Sequence, residues 1–228
     1  MLEDGLSYPT RGDWLRRILL GGVLGLFSPV VLPAFVLTGY YVRVLERTAG
    51  GDDDPPEFDD WGDLLVTGLV GTVVAAAYAV VPTVAYLFVV GGLFGVGAGI
   101  GGKSGGLLAG IGVLTMLAFV PLGLLIYYVV PAALANYAHE DSIGAAFDLG
   151  TLRPVLVSGE YLMAAILPLA VVFLVGIATT ILSMTIVGIV LVPFVGFYAN
   201  VVIFRMFGAA FAEASGSDAS RSPRAAPA

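Results

Sequence analysis

The residues best suited by type to do chemistry in this 228-residue chain stand in three places. His139-Glu140-Asp141 sets an imidazole beside two carboxylates, the groups of an acid–base pair or a metal site. Asp52-Asp53-Asp54, with Glu57, Asp59, Asp60 and Asp63, offers the oxygen ligands that divalent cations take. Gly97 through Ser104 reads G-x-x-x-x-G-K-S, the spacing with which backbone N–H groups and a lysine cradle phosphate. Each pattern also has a plainer reading. Consecutive residues of a helix do not face one another, and Asp141 or Ser142 as the N-cap of an interfacial helix through Phe147 accounts for the first. The acidic stretch lacks calcium-loop spacing and reads as a solvated loop in which Asp59 or Asp60 caps the next helix. The phosphate-loop mechanism needs a strand before it within an α/β domain, whereas here an uncharged helix precedes it. Small-residue spacings such as Gly91 to Gly95 suit close helix packing or a loose loop instead.

The elements that must position these residues follow from composition. With 58% hydrophobic residues, 12% charged and a mean hydropathy of +0.97, the chain cannot be a soluble domain with a charged shell. Four stretches, Ile18 to Val42, Leu64 to Gly102, Ser104 to Ala138 and Tyr161 to Phe204, contain no Asp, Glu, Lys or Arg. Since ~20 apolar residues cross ~30 Å of hydrocarbon, the second and third supply one spanning helix each. The fourth supplies two, with a tight turn near Ser183, Met184 and Thr185. Backbone polar groups in lipid must bond within the chain, and no barrel-type alternation is present, so the spans are α-helical. The expected fold is an all-α polytopic membrane bundle of four transmembrane helices plus an N-terminal short or re-entrant element. Ser28-Pro29 and Pro33 in the first stretch allow either one kinked span or a hairpin whose arms, roughly 15 residues and about 22 Å each, are too short to cross.

The absence of cysteine excludes disulfides, thiolate nucleophiles and cysteine-ligated metals, and a single histidine leaves little for an imidazole relay. A net charge of −7 and a pI near 4.5 argue against nucleic acid as a partner. Arg16-Arg17 before an apolar run suggests a signal peptide, but no small-x-small cleavage pattern follows. The stretch 215–228, rich in Ser, Ala, Pro and Arg, reads as a disordered tail after a membrane domain of residues 1–214.

Three segments share a pattern: Asp13-Trp14 running to Gly21, Asp60-Trp61 to Gly68, and Thr151-Leu152 to Gly159. A polar cap and an amphipathic turn before an apolar run are what a helix needs to start at the headgroups and enter lipid. Each would open a hairpin unit, at about 13–48, 60–138 and 151–211, whose second helix starts near Pro33, Pro121 or Pro193. With three hairpins and the N-terminus inside, all nine arginines fall inside and Lys103 outside. A five-crossing arrangement splits the same residues four against six, so the positive-inside rule favours the hairpins, with both termini cytoplasmic in the cell membrane. Asp13, Trp14, Asp60, Trp61, Asp141, Ser142 and Phe147 are the candidate structural and interfacial residues, the aromatics at headgroup level.

The chain resembles the haloarchaeal polytopic membrane proteins of the domain-of-unknown-function 4013 family. The resemblance rests on Asp13-Trp14, Gly39-Tyr40, Pro55-Pro56-Glu57-Phe58-Asp59-Asp60-Trp61, Glu140 through Phe147, and Pro193-Phe194 through Phe207-Gly208, and reaches to Glu213. It implies an integral membrane protein and transfers no catalytic residue. One lysine among ten basic residues and the acidic pI agree with a halophile. No ionisable residue stands at mid-bilayer, where coupled transporters place theirs. The expectation is therefore no enzyme, no cofactor and no metal, and a non-catalytic scaffold, assembly or envelope-homeostasis component. Its partners would be membrane lipids and other membrane proteins or a second copy. The alternative is a permease or channel-like subunit for a neutral or lipid-like solute. A continuous polar stripe through Thr72, Thr83, Thr115, Thr179 and Asn200 would favour that alternative.

Overall fold

The computed structural model of the chain describes residues 2–216; most of the expected disordered tail lies outside the described residues. Those residues form helices and no strand. In order they are α1 (Leu2–Ser7), α2 (Trp14–Leu26), α3 (Leu32–Ala49), α4 (Trp61–Ile100), α5 (Gly102–Ala118), α6 (Val120–Glu140), α7 (Leu149–Leu156), α8 (Gly159–Leu182) and α9 (Ile186–Ala214). Short 3-10 turns cover Tyr8–Thr10, Ser28–Val30 and Ile143–Phe147. Four helical stretches, Trp61–Ile100, Gly102–Glu140, Gly159–Leu182 and Ile186–Ala214, are long and apolar enough to cross a membrane. Their large side chains point outward: Phe173 and Ile186 are 68% and 85% exposed, and none of the most apolar stretch of Gly102–Glu140 is buried. Helices apolar on their outer faces require hydrocarbon as solvent, so the chain is a multi-pass membrane protein.

The chain divides into two compact units, one running to Thr72 and resuming at Pro131, the other Val73–Val130. In the first unit α9 is the axis, with α8, α2 and α3 packed against it. The α8–α9 reversal falls at Ser183 to Thr185, as the sequence predicts, and Thr185 Oγ1 accepts from the Gly188 N–H (2.9 Å). The first apolar run is a hairpin rather than one kinked span. α2 descends α9, with Gly21, Gly22 and Gly25 against Phe197, Phe194 and Pro193. α3 returns the other way, with Tyr40 against Phe197 (5.3 Å between ring centroids), Tyr41 on Phe204 (5.1 Å) and Thr48 on Gly208. Tyr8, Tyr40, Phe58, Leu64, Phe197 and Val201 form the core, in which Tyr40 stacks on Phe58 at 4.3 Å. Such pairs add stability beyond their area burial.

In the second unit α4 reverses into α5 through Gly101 and Gly102, both at positive φ. A Cβ on Gly105 would run into the Gly97 carbonyl oxygen, so α4 and α5 approach closely there, whereas Gly91, Gly92, Gly95 and Gly99 meet nothing within 4 Å and the Gly91–Gly95 spacing serves no close packing. Phe119 and Pro121 mark the break between α5 and α6, where proline supplies no N–H.

The three repeated segments play different parts. Gly21 and Gly68 lie inside α2 and α4, while Gly159 opens α8 after α7 has ended.

Candidate functional site

The polar groups of the first unit gather where α9 leaves its apolar stretch. Arg205, following Phe204 and only 7% exposed, lies over the Tyr8 ring, 4.6 Å from its centroid. Its Nε donates to Asp4 Oδ2 (3.2 Å), one terminal nitrogen to the Asp52 carbonyl (2.9 Å) and the other to Asp53 Oδ1 (2.8 Å). Arg11 donates to Asp4 Oδ1 and to the Asp53 carbonyl (2.8 Å). Arg43 joins Asp59 (2.6 Å) and Asp63 (2.8 Å), and Arg47 approaches Asp52 (3.6 Å).

Arg17, 5% exposed, is held differently. It donates to three carbonyl oxygens, of Pro56 (3.2 Å), Pro9 (3.3 Å) and Arg11 (2.9 Å). The loop between α3 and α4 has no ladder of its own to satisfy its carbonyls, so these donors do it; Tyr40 also donates to Pro56 O (2.9 Å). The result is a clasp in which the acidic loop is closed by arginines from α3, α9 and the N-terminal segment, with Arg17 of α2 bonding its backbone. Of the carboxylates that looked available for a divalent cation, Asp52, Asp53, Asp59 and Asp63 are engaged by guanidinium groups and Asp60 caps α4. Among the described residues no group of His, Asp and Glu is arranged to hold a metal ion.

Burial alone would raise the Asp4 carboxyl, but hydrogen bonds and charge from Arg11 and Arg205 outweigh it and hold it below its ordinary value of 3.8. A carboxylate with a depressed folded value contributes stability that is complete above its unfolded value and is lost as pH falls through the folded one. Protection of α1 from proteolysis should therefore be constant at neutral pH and fall away below about pH 3.8. Asp4→Asn should remove that dependence while lowering protection throughout. A wild-type profile with its midpoint above pH 5 would contradict this.

The interfacial residues read from sequence are placed as follows. Asp13 occupies the N-cap of α2 without a side-chain cap bond, and Trp14 follows, half-exposed. Asp60 Oδ1 accepts from the Asp63 N–H (3.3 Å), so it caps α4, while Asp59 is engaged by Arg43. Trp61 is half-exposed and stacks on Phe58. Asp141 is no cap: it adopts a left-handed φ of 47° in the turn after α6. Ser142 takes the N-cap position of the 3-10 turn ending at Phe147, again without a side-chain cap bond. The cap in this region is Asp148, whose carboxylate accepts from the Gly150 N–H and the Thr151 hydroxyl (2.9 Å each) and opens α7. Ser158 Oγ, accepting from the Tyr161 N–H (3.1 Å), opens α8. Asp60→Ala should thus cost about 1 kcal/mol of local helix stability in hydrogen exchange, whereas Asp141→Gly, which removes no cap bond and suits the left-handed φ, should leave exchange unchanged.

Buried Arg17 and Arg205 are the residues that sequence reasoning missed as site residues. Their signal was a cation adjoining an uncharged run, which reads equally well as a mere topology marker.

Residues 23–184 match the family described as "Protein of unknown function (DUF4013)". The chain belongs to that family. The match includes Gly39-Tyr40, the clasp loop and the Glu140–Phe147 segment, and leaves out Asp13-Trp14 and the Pro193–Gly208 segment. No curated protein and no solved structure matches the chain.

Proposed function

We propose that this DUF4013 protein is a non-catalytic, multi-pass component of the cell membrane, a scaffold, assembly or envelope-homeostasis element. Its contacts are with membrane lipids and with other membrane proteins or a second copy of itself. The observation that carries this reading is the fate of its polar groups. Of the stripe Thr72, Thr83, Thr115, Thr179 and Asn200, all but Thr83 donate to the carbonyl four residues back in their own helix, as Thr180 also does, which supports the scaffold reading. The ionised side chains of the clasp engage one another or the loop backbone. Both termini and the acidic loop are assigned to the cytoplasm, because Arg11, Arg17, Arg43, Arg47 and Arg205 all attach to that one loop and basic residues stay inside. A haloarchaeal source fits the net charge of −7.

The permease reading draws on an apolar recess of about 370 Å³ in the second unit, lined by Pro82, Thr83, Tyr86, Met116 and Phe119. Complementation of a deletion strain separates the two. His139→Gln and Glu140→Gln should restore the phenotype fully, and proteoliposomes should pass glycerol no faster than protein-free vesicles. Loss of function in a His139→Gln protein that still reaches the membrane, or protein-dependent flux, would overturn the proposal.

A further inference from the structure

The α2–α3 hairpin is too short to cross a bilayer, and its register against α9 fixes how deep it goes. α9 runs from Ile186 to Arg205 over about 29 Å at helical rise, which matches the ~30 Å hydrocarbon core with Arg205 at one boundary. Gly25, the last α2 residue seated on α9, faces Pro193, about 18 Å of helix from Arg205 and about 10 Å short of Ile186. Both ends of the hairpin are tied at the Arg205 end, by Arg17 to Pro9, Arg11 and Pro56 and by Arg43 to Asp59 and Asp63. The tip lies between these levels, and its side chains Phe27, Val30, Val31 and Leu32 are 54–63% exposed.

From this geometry we infer that α2–α3 is a re-entrant hairpin, entering the membrane from the clasp side, turning back past the midplane but short of the Ile186 level, and presenting its tip to lipid acyl chains. Two features of the tip suit hydrocarbon as the occupant. Non-helical backbone at membrane depth survives only if its polar groups are satisfied. Here the Val30 N–H bonds Phe27 O (2.9 Å), Val31 bonds Ser28 O (3.1 Å) and Phe35 bonds Val31 O (3.2 Å), which leaves the Leu32 and Ala34 N–H groups of the first α3 turn as its unbonded donors. Pro29 and Pro33 have no N–H to satisfy. A proline pair that would break a full span therefore lowers the number of donors at a turn inside lipid. No charged side chain stands between Arg17 and Arg43 to draw the tip toward water.

The cysteine-free chain allows a direct test with single spin labels in the full protein in liposomes. Ile177→Cys in α8 reports that the chain is inserted, Ser7→Cys marks the clasp side, and Ile186→Cys marks the far end of α9. A label at Val30→Cys should collide with oxygen several-fold more often than with a water-soluble nickel chelate, at a depth between those of Ser7 and Ile186. Phe27→Cys should give the same result and serves if the first variant does not fold. Overturning results are chelate access at Val30 as high as at Ser7, maleimide labelling from the Ile186 side, or shielding from both collision partners, which would mean a protein partner or a second copy covers the tip.

Discussion

Replacing Gly39 or Gly68 by alanine is expected to separate α3 from α4 and to lower stability by roughly 3 kcal/mol, at the upper end of ordinary overpacking. A Cβ on Gly39 would overlap the Leu64 carbonyl oxygen, and one on Gly68 would overlap the Phe35 carbonyl oxygen. Both obstacles are backbone, so no rotamer change relieves them, and the helices must move as rigid bodies. The displacement would also pull Tyr40 from Phe58 and from Pro56 O, because Tyr40 follows Gly39 directly. Gly22→Ala meets the Phe194 ring, a side chain that can turn, and should cost less. Gly91→Ala meets nothing within 4 Å and should be neutral or slightly stabilising, since alanine is the better helix former. Thermal unfolding of the four variants in detergent, followed by circular dichroism, orders them. Gly39→Ala unfolding at the temperature of Gly91→Ala would refute the close crossing.

Arg17→Met is expected to cost on the order of 3 kcal/mol, although it removes no ion pair seen at this residue. Three carbonyls lose a charged donor, and a buried acceptor left without a partner costs about 1–3 kcal/mol where water cannot replace the donor. The Arg11 carbonyl is part-buried and recovers part of its loss from water, and Pro56 O keeps the Tyr40 hydroxyl, so buried Pro9 O is the acceptor left bare and the total stays well below three full penalties. Arg17→Lys should rescue little, because a point-like ammonium cannot span the guanidinium's separated directions. Asp13→Ala, one turn earlier and without a cap bond, should have little effect. Limited proteolysis of the loop between Asp52 and Asp60 provides the readout: rapid cleavage in Arg17→Met and Arg17→Lys, slow cleavage in wild type and Asp13→Ala. Equal cleavage of Arg17→Met and wild type would show that the loop is held by its carboxylates alone.

The spans and the turn at Ser183 to Thr185 could be read from sequence because charge depletion over ~20 residues has few causes other than lipid. Local signals did worse where several competed within a few residues. Asp141, Ser142 and Asp148 are all competent caps, and only the backbone path, which enters a left-handed turn at Asp141 before α7 starts, assigns the bond to Asp148. The prolines at 29 and 33 announced a break without saying whether the chain kinks or reverses. That was decided by α9, which lies more than 150 positions away in sequence and supplies the aromatic side chains that α2 and α3 pack against. The clasp is non-local in the same way: Asp4 and Arg205 meet across nearly the full chain length, a pairing that no window along the sequence contains. Gly39 is conspicuous in the sequence, yet nothing local to it tells which backbone approaches it.

The assignment of the arginine clasp to the cytoplasmic face, with an uncharged membrane domain leading to Lys103 outside, is tested most directly by labelling two exposed positions in oriented vesicles. Glu57→Cys and Ser104→Cys each place one thiol in an otherwise cysteine-free chain. With a membrane-impermeant maleimide, Glu57→Cys should react in inverted vesicles only, and Ser104→Cys in right-side-out vesicles only. Reaction of both from the same side, or the two in reversed order, would contradict the account.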